Sequence, residues 1–368
     1  MNNSSAAQVT MHSIIQRIAT GPELSKDISL AEASEGMQAI LQGQIDEVQA
    51  AIFFIALRMK RETDDENKGV LDAILKASES VVADVDELVS LADPYDGFNR
   101  NLLVAPFIPA ILATAGLPTL SHGLDSVGPK FGVTHRHVLQ AAGIDVDLSV
   151  SQAAQRIADP ALGWSYLDQR QFCPTLHDLI PLRQKVIKRQ VLTTVEVLTK
   201  PVTGRRRTHL VTGYVHKPYP AKYAELARYA GFETALLVRG TEGGIIPSLR
   251  QQGKIFRYQD LGEEIPHEIN PSDLDISQTA RAVPLPEQVL QSTTGDDVAS
   301  ITDTHAAAAA AAAAGIAALK GEPGPAYDSL VYAAALILWH SGRDYDLSSA
   351  GRRVRQLLDS GSVLARLR

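Results

Sequence analysis

The chain is poor in cysteine, in aromatic residues and in positive charge, and it contains no long apolar run. Its single cysteine, Cys173, excludes an intrachain disulfide and a cysteine-rich zinc site. Aromatics make up 5% of its 368 residues, so the core has to be built mainly from Ala, Leu, Ile and Val. A formal charge of −7 lacks the basic excess typical of proteins that coat nucleic acid, although local patches can still be basic. No stretch has the length and apolarity of a membrane span. The opening MNNSSAAQVTMHS has no signal-peptide core, so the expected location is cytoplasmic. What is there is an ordinary globular balance, 45% hydrophobic and 21% charged, in a chain long enough for one large domain or two ordinary ones.

The first dozen residues read as a polar, frayed tail. Two capping boxes come next, Ser29-Leu30-Ala31-Glu32 and Thr63-Asp64-Asp65-Glu66, each pairing a hydroxyl with a carboxylate three residues on to satisfy free N–H groups. They predict helices running to Gly43 and to about Ser78. Between them Asp46 opens DEVQAAIFFIALRMK, an apolar helix suited to a lobe centre or an interface. No strand is expected before residue 85. The segment 93–97 (DPYDG) is a loop. An apolar helix then reaches about Ala115, a short strand covers 117–120, and the loop 121–132 (SHGLDSVGPKFG) leads into a helix ending near Gly143. Within the mixed stretch 163–201, the later half of 178–192 (DLIPLRQKVIKRQVL) looks helical.

A βαβ-like unit comes after it, with a strand over 208–215, a helix over 222–230, a strand over 234–239 and the turn 240–244. Strands alternating with helices imply an α/β fold with a mostly parallel sheet, whose ligands sit beyond the carboxyl ends of the strands. The alanine tract 306–314 starts a helix to Lys320. Pro323-Gly324-Pro325 separates it from an apolar helix near 329–340, and an amphipathic basic tail begins at Ser348.

The loop 121–132 is the leading anion-site candidate. Gly123, Gly128 and Gly132 allow close backbone approach. Ser126 offers a hydroxyl, Lys130 a point charge suited to phosphate, and His122 a ring N–H for a phosphate or sugar oxygen. An ordinary βα loop with scattered glycines is the plainer alternative. Asp93, Asp96 and Asn99 suit a sugar hydroxyl or a magnesium ion, and turn chemistry explains them as well. Arg183 is placed either as a bidentate clamp for a carboxylate or as a surface arginine. The basic runs 185–189 (KVIKR) and 205–207 (RRR) suit nucleic-acid phosphates or solvated loops. Cys173 reads as a buried structural thiol, and His135-Arg136-His137 has no metal-site spacing.

These segments together resemble the anthranilate phosphoribosyltransferase family, and more widely the nucleoside phosphorylases of the same fold, from about residue 13 onward. ISLAEASEGMQAILQGQIDEVQAAIFFIALRMKRET is similar to the family's opening helices. SHGLDSVGPKFG resembles the family loop KHGNRSVSSKSG, with His122, Gly123, Ser126, Val127, Lys130 and Gly132 in place. The block 163–201 aligns so that Arg183 falls on the arginine that contacts the anthranilate carboxylate. TGYVHKPYPAKYAELARYAGFETALLVRG resembles the strand–helix–strand before the family's VHG turn.

The resemblance implies a small N-terminal helical domain, 13–84, joined by helices from about 163–190. Beside it stands a larger α/β domain, 85–162 and 191–368, whose mostly parallel sheet is flanked by helices. It also implies a homodimer formed through the helical domain. The interdomain cleft would take phosphoribosyl diphosphate, magnesium and an aromatic amine, using Asp96, Gly97, Asn99, His122, Gly123, Ser126, Lys130 and Arg183. The amine would displace diphosphate through an oxocarbenium-like transition state, a reaction that rests on positioning and charge stabilisation and assigns no acid–base catalyst.

The departures from the family are specific. Its diphosphate loop GTGGD is here Ala92-Asp93-Pro94-Tyr95-Asp96, and Pro94 has no amide proton to offer. Its Asn-x-Ser-Thr is Asn99-Arg100-Asn101-Leu102. Leu124 and Asp125 replace an asparagine and an arginine, and Cys173 replaces a histidine. The magnesium-binding Asp-Glu pair falls on Ile245 and Ile246, leaving Glu242 as the available substitute. The pattern resembles a divergent second branch of the family, some of whose members are associated with nucleic-acid binding. Two readings result: a pentosyl transferase with a changed substrate, or a non-catalytic or altered paralog that binds nucleic acid.

Overall fold

The computed structural model describes residues 6–21, 23–287, 289, 291–294, 298–301 and 303–367. The helical lobe contains helices Ala6–Ile18, Leu30–Leu41, Glu47–Lys60 and Asp64–Ala77. Both predicted capping boxes form, and Asp46 caps its helix through the N–H groups of Val48 and Gln49. Glu66 does more than cap. Fully buried, it accepts from the N–H groups of Thr63 and Ile28 and pairs with Lys60 at 2.9 Å, tying three segments together. The expected frayed tail is instead helical from Ala6, because Met11, Ile14 and Ile18 form an i, i+3, i+7 stripe that is buried in the lobe. Gly69 lets two helices of the lobe cross closely: a Cβ there would lie 2.3 Å from the carbonyl oxygen of Leu30.

The α/β lobe is organised by a seven-stranded sheet. In spatial order its strands are Trp164–Asp168, Thr119–Gly123, Glu87–Ala92, Arg207–Gly213, Thr234–Val238, Gly253–Tyr258 and Ile265–Ile269. The first five are mutually parallel, and the last two are joined to them and to each other by antiparallel pairing. Helices Thr304–Leu319, Pro325–His340 and Leu347–Asp359 pack on one face. The other face shares a continuous apolar core with the helical lobe, in which Leu88, Leu120, Leu210 and Leu237 meet residues such as Phe53, Leu71 and Ile74. Among the described residues, no helix is long and apolar enough to cross a membrane.

Three local expectations change. The strand expected over 117–120 is Thr119–Gly123, which draws Ser121, His122 and Gly123 out of the supposed loop and into the sheet. The cause is pairing with Trp164–Asp168, a strand without a clear local pattern, in the register Gly123 opposite Asp168. In 178–192 the helix occupies the earlier half, Ile180–Val186, with Pro181 in its first turn. It breaks at Ile187, whose φ is 68°, before the short helix Leu192–Val195. A strand also exists before residue 85: Val81–Val82 pairs in parallel with Val202–Thr203.

Candidate functional site

Glu87–Ala92, Arg207–Gly213 and Thr234–Val238 end on the same edge of the sheet. The segments after them border a cavity whose lining also includes Arg58 of the helical lobe. Asp96 lies at its floor, only 2% exposed. Its carboxylate receives Arg189 at 2.9 Å and Lys130 at 3.2 Å. Two cations on one carboxylate leave the floor with a net positive charge. The ammonium of Lys130 also lies 5.3 Å from the centre of the Phe98 ring. Tyr214, Tyr219, Tyr223 and His216 form an aromatic wall; the Tyr219 and Tyr223 rings are 5.7 Å apart, and Arg58 donates to the Tyr219 hydroxyl at 3.2 Å. Burial raises the Tyr223 phenol well above its ordinary value, so it remains a neutral donor.

The loops carrying Asp96 and Lys130 are zipped together. Phe98 and Val133 exchange two backbone hydrogen bonds of 2.9 Å, and the Gly132 N–H donates to the Asp96 carbonyl. Gly97 has φ 79°, and a Cβ there would stand 2.5 Å from the Gly132 carbonyl carbon. These glycines therefore serve the contact between two backbones. Gly123 ends a buried strand, and half-buried Ser126 lies outside the cavity wall.

Of the residues expected to bind substrate, Asp96 and Lys130 line the cavity, and others are redirected. His122 is 1% exposed behind the cavity, with Tyr95 on Nδ1 and Ser90 on Nε2. Burial and the nearby His135 push its pKa down to about 3, so it is neutral. It is not a donor at the cleft mouth, because its strand carries it into the core. Arg183, 1% exposed, is neither a surface arginine nor open to a ligand: it forms a bidentate pair with buried Glu196 at 2.7 and 2.8 Å. Asn99 gives its side-chain NH₂ to the Lys130 carbonyl. Asp93 is held by the Ile245 N–H and by His135, each at 2.9 Å. Cys173 is buried, as expected.

Magnesium does not fit the residues present. Ile245 and Ile246 are buried and apolar, and the Glu242 carboxylate already accepts from the N–H groups of Asn99 and Arg100. Among the described residues, no group of three His, Cys, Asp or Glu side chains is placed to hold a metal ion. The basic runs are also largely compensated. Lys185 pairs with Glu47, Arg189 with Asp96, Arg205 with Asp84 and Asp86, and Arg207 with Asp260. Sequence reasoning missed Arg58, His216 and the tyrosines. The one available signal was the i, i+4 spacing of Tyr219 and Tyr223, which places both on one helix face.

A model of a glycosyl transferase family, helical bundle domain, matches residues 12–78, and one of a glycosyl transferase family, a/b domain, matches residues 97–364. An anthranilate phosphoribosyltransferase of Rhodopseudomonas palustris (strain BisA53) is 27% identical over 361 residues, covering 98% of this chain and 96% of its own. An uncharacterized protein of Aquifex aeolicus is 29% identical over 258 residues, 68% of this chain and 77% of its own. The fold is similar to anthranilate phosphoribosyltransferase from Thermus thermophilus (TM-score 0.73, 20% identity, 97% of each chain). It is also similar to the Saccharomyces cerevisiae enzyme in complex with PRPP and Mg (TM-score 0.75, 15% identity, 98% of this chain and 96% of that one).

Proposed function

The chain belongs to the glycosyl transferase family whose helical bundle domain accompanies an a/b domain, and from that membership we propose that it transfers a pentosyl group from a phosphorylated pentose to an acceptor other than anthranilate. The observation that carries the proposal is the cavity floor, where Lys130 and Arg189 share the single carboxylate of Asp96. A donor diphosphate would meet these cations and Arg58. In the transfer the C1–O bond to diphosphate breaks, the acceptor nucleophile bonds to C1, the electron pair leaves with diphosphate, and the acceptor's proton passes to the departing diphosphate or to solvent. The protein contributes position and positive charge at the leaving group. The aromatic wall suits a planar acceptor. Anthranilate is disfavoured because the guanidinium expected to clamp its carboxylate is committed to Glu196. Compensation of the basic runs likewise weighs against the nucleic-acid alternative.

We also propose a homodimer through the helical lobe. Val48, Ile52 and Met59, spaced 4 and 7 residues apart on helix Glu47–Lys60, are 68%, 37% and 73% exposed.

Titration calorimetry with phosphoribosyl diphosphate tests the transferase reading. Binding should occur in EDTA, and Lys130→Ala and Arg189→Ala should each weaken it at least about tenfold. Absence of heat and of a thermal shift at millimolar ligand, with and without magnesium, would refute it.

A further inference from the structure

We propose that the groove on the outer side of the turn 240–244 is a second anion site, taking a small ligand with two or more phosphate groups and needing no divalent cation. The groove is open to solvent and is lined by Arg100, Arg239 and Arg281, with Ser248, Thr241 and Gln251 among its polar neighbours. All three arginine side chains belong to exposed residues, and among the described residues none has a carboxylate within ion-pair reach. Several other surface arginines are compensated: Arg205 by Asp84 and Asp86, Arg228 by Glu264, Arg343 by Glu87 and Arg353 by Asp344. One carboxylate, Glu242, also stands in the groove wall and accepts from the N–H groups of Asn99 and Arg100. Three guanidinium groups thus line one groove whose wall, among the described residues, carries a single carboxylate.

The chemistry of the lining selects the ligand. Guanidinium forks match phosphate oxygens in bidentate fashion and stay protonated at every physiological pH. Their summed charge of +3 exceeds that of a single phosphate dianion, which points to a di- or triphosphate. Arg239 directly follows strand Thr234–Val238, on the carboxyl edge of the parallel part of the sheet. The turn beside it is held by bonds from the Thr241 N–H to the Ile246 carbonyl and from the Gly244 N–H to the Thr241 carbonyl, so the groove floor is set before a ligand arrives. The charge is local. The basic run 205–207, which could have extended a track for a polynucleotide, is paired with carboxylates. Val215, Glu242 and Gly243 line both this groove and the interlobe cavity and form the wall between them. The proposal does not depend on the pentosyl-transfer reading.

Calorimetry with inorganic tripolyphosphate in EDTA at low salt tests it. Wild-type protein should bind. Arg239→Gln and Arg281→Gln should each weaken the groove component of binding at least tenfold and together abolish that component, while the component that Lys130→Ala removes should persist in both arginine variants. Thermal melts of the arginine variants should match wild type. In parallel, arginine side-chain N–H resonances of the intact protein should shift on titration at the groove. Absence of binding, dependence on magnesium, loss on Lys130→Ala with the arginine variants unaffected, shifts confined to Arg189, or binding of oligonucleotides but not of tripolyphosphate would each overturn it.

Discussion

A buried charge is tolerated only with its partner, and the partner of Arg183 is a protein side chain rather than a ligand. Glu196 and Arg183 are both inside the core, joined by two hydrogen bonds. Glu196→Ala would leave a guanidinium in apolar surroundings, so urea unfolding should show a loss of about 3–5 kcal/mol, far beyond a surface truncation. The buried histidines give a second residue-scale expectation. Burial, the leading cause in each case, lowers His122 to about 3 and His209 to about 4, and it lowers His340 well below its ordinary value. An unfolded histidine titrates near about 6.5. Stability from these groups is therefore complete above that pH and declines as pH falls from about 6.5 toward about 4, because the unfolded chain binds protons that the folded chain refuses. Thermal melts across this range should fall by on the order of 1 kcal/mol per pH unit for each fully buried histidine, and His122→Gln should flatten the profile. The sequence showed His122 and Arg183 as polar residues near glycine and aliphatic neighbours. Nothing local identified Tyr95, Ser90 or Glu196 as the groups that would occupy them.

Helices and strands differ in how much of their cause is local. Ser29 with Glu32 and Thr63 with Glu66 announced their helices because a cap and its partner lie three residues apart. Trp164–Asp168 exists because Thr119–Gly123 offers it a ladder, and that pairing also moved His122 from a loop to a buried strand. Helix Thr304–Leu319 contains both kinds of cause. Its alanines make it helical by propensity, yet Gly315 interrupts them where a Cβ would come 2.1 Å from the Phe107 ring. Propensity alone would have Gly315→Ala stabilise the helix by about 1 kcal/mol. Overpacking of roughly 1–3 kcal/mol opposes that gain, and the net change in chemical denaturation should be a loss.

At the scale of the whole molecule, the apolar stripe of Val48, Ile52 and Met59 stands on the outside of a lobe whose interior is otherwise well filled. Sedimentation equilibrium should give a dimer, and Ile52→Lys or Met59→Glu should shift it to monomer without a change in far-ultraviolet circular dichroism; a monomeric wild type would remove the interface. The sequence by itself determined the capped helix starts at Ser29, Asp46 and Thr63 and the alternation of strand and helix after residue 207 that belongs to the parallel core of the sheet. Each depends on residues close in the chain. Only the tertiary structure decided that Lys130 and Arg189 meet over Asp96, that Arg183 turns inward to Glu196, and that Arg100, Arg239 and Arg281 are left facing one groove. Those outcomes join residues up to 181 positions apart in the chain, from Arg100 to Arg281. Charge is matched or left unmatched across space, and spacing along the chain carries no record of which distant partner will arrive.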